Sequence, residues 1–197
     1  MNRSSEALNE WRVVDILVAA SLAVAFGVVF QGWNLLWSAA GPAFAAFPPL
    51  QGFMYGVWML PAVIVPLIVR RPGAALVGET VAALTSAVFG APWGLLTIVY
   101  GLMQGGAAEL VFAFGLYRRW GLLVSLLAGG AAGAAGALLD LVLYYPDWAA
   151  GWQATYAALV IPSAAIIAGI GGWLLVRALA ATGVLSPFPA GRDVPEV

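Results

Sequence analysis

Stretches of about 20 residues almost free of charge recur along this chain, and nothing else constrains its fold as strongly. The first reads VVDILVAASLAVAFGVVFQGWN. In lipid there is no water to satisfy backbone N–H and C=O groups, so such a run must be helical. A helix rises about 1.5 Å per residue, and about 20 residues cross the hydrocarbon layer. Cutting at charges and Pro/Gly clusters gives six candidate spans, roughly 12–36, 50–69, 73–90, 93–117, 121–145 and 153–180. The third is short and ends at the turn signal FGAPWG. Pro61 and Pro66 are expected to kink or break the second.

Composition agrees. The chain is 63% hydrophobic and 9% charged, against about 25% charged in soluble domains. The expectation is an all-α integral membrane protein, a six-transmembrane-helix bundle over 12–180 with polar segments at 1–11 and 181–197. The N-terminal segment carries Glu6 and Glu10 and does not look like a signal peptide. With no cysteine and no histidine, there is no thiol chemistry, and the commonest general base and metal ligand are missing. No metal, cofactor or catalytic residue is expected. No basic run could track phosphates, so nucleic acid is not an expected partner.

All eight basic residues are arginines. Arg3 and Arg12 precede span one, Arg70 and Arg71 follow span two, Arg118 and Arg119 follow span four, and Arg177 and Arg192 end the chain's last span and tail. The loops after spans one, three and five have none. Positive charge stays on the cytoplasmic side, so both termini are expected to be cytoplasmic. Trp37, Trp93, Trp148 and Trp152 fall in the outer loops, with Trp33 nearby, and Trp11 and Trp120 on the inner side. An interfacial belt would be more even. The skew suggests an outward-facing aromatic site.

Glu79, Glu109 and Asp140 lie inside spans. An acid within the membrane is costly and ordinarily faces a cavity or a partner. Glu79 lies about 12 Å from the inner surface and Glu109 about 13 Å, counting from the nearest arginines. Asp140 lies near the outer surface. Tyr100, Gln104 and Glu109 descend span four, and Tyr144 stands near the outer mouth. This suits a pocket that is aromatic above and acidic at depth. Such a pocket prefers a flat, cationic or hydrogen-bonding molecule and disfavours anions. Trp33, Tyr55, Trp58, Trp93 and Tyr144 are candidates for its aromatic lid. In span one, Ala19, Ala23 and Gly27 recur every four residues, a flat ridge for close helix contact. In RRPGAALVGE, Pro72 suits a helix start, and no phosphate loop is present.

Three segments together carry a resemblance: WRVVDILVAASLAVAFGVVFQGWN, YGVWMLPAVIVPLIVRRPGAALVGETVAAL and APWGLLTIVYGLMQGGAAELVFAFGLYRRW. They resemble the YkoE-like substrate-binding S components of energy-coupling factor (ECF) transporters, over roughly residues 11–180. The combination R-R-P-G-A-A-L-x-G-E with G-L-x-Q-G-x-x-A-E-L-V-F is the specific part. The resemblance implies a six-helix protein of the bacterial plasma membrane that captures thiamine or its hydroxymethylpyrimidine moiety. It implies partnership with a transmembrane coupling protein and two cytoplasmic ATPase subunits. The family's small-residue docking motif on helix one maps to Ala19 and Ala23, with Gly27 continuing the ridge. Its acidic and glutamine positions map to Glu79, Gln104 and Glu109. Competing readings are an S component for another water-soluble vitamin, a non-transporting membrane sensor, and an intramembrane enzyme with paired carboxylates.

Overall fold

The computed structural model describes residues 10–192, so Arg3, most of the 1–11 segment and the last five residues lie outside it. The described residues form helices and no strand. Helix α1 is Val13–Ala40, followed by a short turn of tighter helix, Gly41–Phe44. Helix α2 is Pro48–Val69, α3 is Ala74–Val88, α4 is Leu96–Phe114, α5 is Leu122–Leu143 and α6 is Ala150–Ala181. A last turn, α7, is Pro189–Arg192. Five of these are long and apolar enough to cross a membrane. The third, α3, has 15 residues, about 22 Å of helix, and is shorter than a full crossing.

Helix α2 is the axis of the bundle. It begins as a 3-10 helix over Pro48–Met59 and becomes α-helical at Leu60, next to Pro61. Every residue from Pro61 to Val69 is buried. A helix that is apolar all round belongs in an interior, and α1, α3, α4, α5, α6 and α7 all contact it. It ends where Arg70 turns left-handed at φ 51° and its N–H bonds Pro66 O at 2.9 Å. Helix α6 carries a π-helical stretch, Ala165–Gly171, just after Pro162. It approaches α5 closely: a Cβ added at Gly129 would meet Ala164 O at 2.7 Å, so only the smallest residue fits there.

The ridge on α1 is a correction to the sequence reading. Ala19 and Ala23 are 1% and 0% exposed. A Cβ on Gly27 would come within 2.7 Å of Ala82 O on α3. All three are buried inside the bundle, Gly27 against α3, and present no exposed face to a partner. Spacing by four identifies a face of a helix, but either the bundle or a partner can cover it.

The arginine-bearing end is locked by buried polar contacts. Asp15 is fully buried; Arg71 Nε donates to its Oδ2 at 2.9 Å and Arg12 Nη2 to its Oδ1 at 2.6 Å. Arg12 N–H also donates back to Asp15, 3.1 Å, closing the first turn of α1. Beside them Trp11 Nε1 donates to Pro72 O, and Arg12 lies over the ring of Phe188. Leu185, Phe188 and Ala190 are buried, so the described part of the 181–197 segment folds back onto the bundle.

Candidate functional site

A cavity of about 240 Å³ lies in the half of the bundle away from the arginines. That is a little below the usual range of about 300–1,000 Å³ for small-molecule sites. Helix α1 contributes Phe30, Asn34 and Trp37, α2 contributes Tyr55 and Trp58, and α3 contributes Glu79, Ala83 and Ser86. Trp93 precedes α4, which adds Thr97, Tyr100 and Gln104; Asp140 comes from α5 and Tyr144 and Tyr145 from the loop after it. Its walls are aromatic. Trp58 packs on Trp37 at 5.0 Å, on Tyr55 at 5.3 Å and on Trp93 at 5.6 Å between ring centroids. The last two are edge-to-face, an arrangement that favours ring quadrupoles and holds each plane in place.

The polar groups of the wall are tied to the scaffold. Asn34 Oδ1 accepts from Trp58 Nε1 at 2.9 Å, and its Nδ2 donates to Ser86 Oγ at 3.1 Å. Asp140 accepts from Tyr100 OH at 2.5 Å and from Tyr156 OH at 2.7 Å, which joins α4, α5 and α6. Gln104 Nε2 lies 3.4 Å from Tyr55 OH. A Cβ on Gly136 would meet both of these side chains at 2.7 Å, so glycine there makes their room. Tyr145 is pushed up to about 12 by burial and the Asp140 charge, and stands as a neutral phenol.

Glu79 is the most buried acidic residue of the cavity wall. It is 1% exposed and lines the cavity. Its Oε2 accepts from Ala62 N–H at 3.0 Å. Ala62 follows Pro61, just past the point where α2 changes from 3-10 to α-helix. The other oxygen has no protein donor among the described residues. No basic residue lines the cavity.

Of the residues singled out in the sequence, Tyr55, Trp58, Glu79, Trp93, Tyr100, Gln104, Asp140 and Tyr144 meet at this cavity. Two do not. Trp33 turns its Nε1 to Met54 O at 2.9 Å, tying α1 to α2. Glu109 caps α3 from the arginine-bearing end: its carboxylate accepts from Gly73 N–H at 2.6 Å, Ala75 N–H at 2.9 Å and Tyr117 OH at 2.8 Å. These charge-assisted bonds to orphan amides at a helix start explain a carboxylate in α4 without any ligand. They also help burial raise Tyr117 to about 12. Glu109→Gln is therefore expected to lower stability by roughly 1.5–3 kcal/mol and leave ligand affinity within about twofold. Thermal unfolding and titration of the same variant check this; a parent-like melt with lost binding would return Glu109 to the site.

Phe30, Asn34, Trp37, Ala83, Ser86, Thr97 and Tyr145 complete the wall and were not among the candidates. A signal existed for two of them. Asp15, Ala19, Ala23, Gly27, Phe30 and Asn34 are all buried, and their spacing of four, four, four, three and four is one helix face. An asparagine on the same face as the small residues marks it as inward.

Comparison with known proteins gives three findings. Residues 14–135 match the family described as "ABC-type cobalt transport system, permease component". The chain is 33% identical over 192 residues to a Bacillus subtilis (strain 168) protein named as the HMP/thiamine permease protein YkoE, covering 95% of this chain and 94% of that one. A crystal structure of an S-component of an ECF transporter superposes with a TM-score of 0.88 at 31% identity, covering 93% of each chain.

Proposed function

This chain belongs to the YkoE-like S components of ECF transporters, and from that premise we propose that its cavity captures thiamine or the hydroxymethylpyrimidine moiety. One observation carries the reading: a buried carboxylate, Glu79, stands in an aromatic cavity with one oxygen held by Ala62 and the other without a protein donor among the described residues. That oxygen suits the amino group of an aminopyrimidine. Gln104 offers a further partner to ring nitrogens. The tryptophan and tyrosine faces suit stacking and, for thiamine, a thiazolium cation. Native mass spectrometry of the purified protein tests the reading: a co-purified aminopyrimidine supports it. A different vitamin, or no small molecule even after incubation with thiamine, would favour one of the competing readings.

The cobalt description of the matched family does not favour a cobalt cargo here. Divalent cobalt prefers imidazole, thiolate or clustered carboxylate donors. The chain has no histidine or cysteine, and no group of three or more acidic residues that could hold a metal exists among the described residues.

In this reading the chain binds and its partners supply energy. The relatives are transporter components, not enzymes. All eight basic residues are arginines, so the lysine of a phosphate-binding loop is lacking. A transmembrane coupling protein and two cytoplasmic ATPase subunits complete the importer. With Ala19, Ala23 and Gly27 buried, the small residues that the arginine-bearing half of α1 turns outward are Ala20, Ser21 and Ala25. Ser21 and Ala25 stand four apart, one above the other, and form the contact face for the coupling protein. Ser21→Trp and Ala25→Trp are expected to stop uptake in cells while thiamine affinity of the isolated protein stays within about twofold. Unchanged uptake in both variants would remove this face from the assembly.

Both termini are cytoplasmic in this reading, and the cavity lies toward the outside. Cysteine placed at Ala45, on the loop between α1 and α2, should react with an impermeant thiol reagent in intact cells. Reaction of Arg118→Cys instead would invert the orientation.

A further inference from the structure

We propose that Ser163 is a positioning residue for the cavity: its hydroxyl clips one 3-10 turn of α2 and so sets the angle between the Tyr55 and Trp58 rings, without touching the ligand. This rests on the reading of the cavity as the site of the transported molecule. Ser163 lies on α6, is buried, and is not part of the cavity wall. Its Oγ accepts from Gly56 N–H at 3.1 Å and donates to Phe53 O at 2.7 Å. Phe53 and Gly56 stand three apart on α2, at the two ends of one 3-10 turn. One hydroxyl can hold both ends, since it has a proton to give and lone pairs to receive.

Other hydroxyls on these helices behave differently. Ser38, Thr85, Ser125 and Thr155 each return the proton to the carbonyl four residues back, the common local choice. Ser163 sends its proton across to another helix. Gly56 makes the reach possible. A Cβ there would lie 2.5 Å from Ser163 O, so the backbones of α2 and α6 approach to a distance that only glycine allows.

The clipped segment shapes the wall. A 3-10 helix has poorer hydrogen-bond geometry than an α-helix and seldom runs beyond about 3–4 residues. Helix α2 keeps it for 12 residues, Pro48–Met59, so contacts from outside must sustain it. Side chains three apart point the same way in a 3-10 helix. Tyr55 and Trp58 are three apart, and both line the cavity with their rings edge-to-face at 5.3 Å. In an α-helix three residues turn through only about 300°. Relaxing this turn would therefore swing one ring about 60° from the other around the axis. Relaxation needs Gly56 N–H to donate to Gly52 O and Phe53 O to accept from Val57 N–H, and Ser163 engages both of those groups.

The test compares the parent with Ser163→Ala in affinity, melting and near-ultraviolet circular dichroism, which reports fixed aromatic packing. Thiamine is the titrant, or hydroxymethylpyrimidine if the parent binds only that. Losing the clip lowers the population of the competent turn, and affinity should fall about threefold to tenfold in a protein that still folds. The aromatic spectrum should change as well, and that change should largely vanish when Ser163→Ala is made in a Trp58→Phe background. Where Ser163→Ala does not fold, Ser163→Cys is used in its place, because the thiol keeps the size but bonds weakly. A serine that only adds stability would lower the melt and leave affinity and the ring signal alone. Parent-like affinity in the folded variant overturns the proposal, as does the same spectral change with and without Trp58. A parent that binds neither titrant overturns the reading of the site as well.

Discussion

Glu79→Gln is expected to weaken thiamine binding tenfold to a hundredfold and to leave the protein folded. A charge-assisted hydrogen bond contributes roughly 1.5–3 kcal/mol, and each 1.4 kcal/mol is tenfold in affinity. The carboxylate is 1% exposed, so water screens little of its interaction with a bound cation or amino group. Glutamine keeps the side-chain length and a carbonyl oxygen for Ala62 N–H, 3.0 Å from the carboxylate in the parent. It loses the charge, and it can present an amide donor where the ligand also donates. The melting curve separates binding from folding. Parent-like affinity in a folded Glu79→Gln protein would make Glu79 a structural partner of Ala62 N–H and nothing more.

The second large effect is on stability, at the opposite end of the bundle. Asp15→Ala is expected to cost about 3–5 kcal/mol, the usual result of removing one partner of a buried ion pair. Asp15 is fully buried, Arg71 is 9% exposed, and their contact is 2.9 Å. The variant leaves that guanidinium inside without its carboxylate. It also removes the acceptor for Arg12 N–H and the Arg12 side chain. For a chain of this length the melting midpoint should fall by on the order of 10 °C. Adding Arg71→Met should recover part of the loss, because the buried guanidinium no longer has its contact with Asp15. A single variant that melts like the parent would mean that the corner between α1 and α3 is held by other contacts.

Much of this architecture was legible in the sequence because lipid leaves few choices. An apolar run of about 20 residues must be a helix, and each of the six segments read from hydropathy is one, within about four residues at each end. The short third segment was legible as well, since FGAPWG closes α3 early. About half of the cavity wall could be read from aromatic and polar residues on α2, α3, α4 and α5 and in the loops.

Residue counting failed at Glu109. Counting from the arginines places Glu79 and Glu109 at similar depth, and one helical turn decides between them. Glu79 lies level with Gly105, a turn beyond Glu109. From its own position Glu109 reaches the exposed amides at the start of α3. A count gives the height of a backbone atom, whereas a long side chain is directed by the nearest unsatisfied donors. The same ambiguity concealed the role of Ala19, Ala23 and Gly27. Small residues allow close approach, but only the folded bundle shows that α3 makes that approach. Asp15, two residues into an apolar run, was the signal that this face turns inward.

The central claim is that the cavity between α1, α2, α3 and α4 holds the transported molecule with Glu79 as its anchor. A crystal structure determined with thiamine tests it most directly. The account predicts the aminopyrimidine within hydrogen-bonding distance of Glu79 and its ring against Trp58 or Trp93. Thiamine bound outside this cavity, or inside it with no contact to Glu79, would contradict the account.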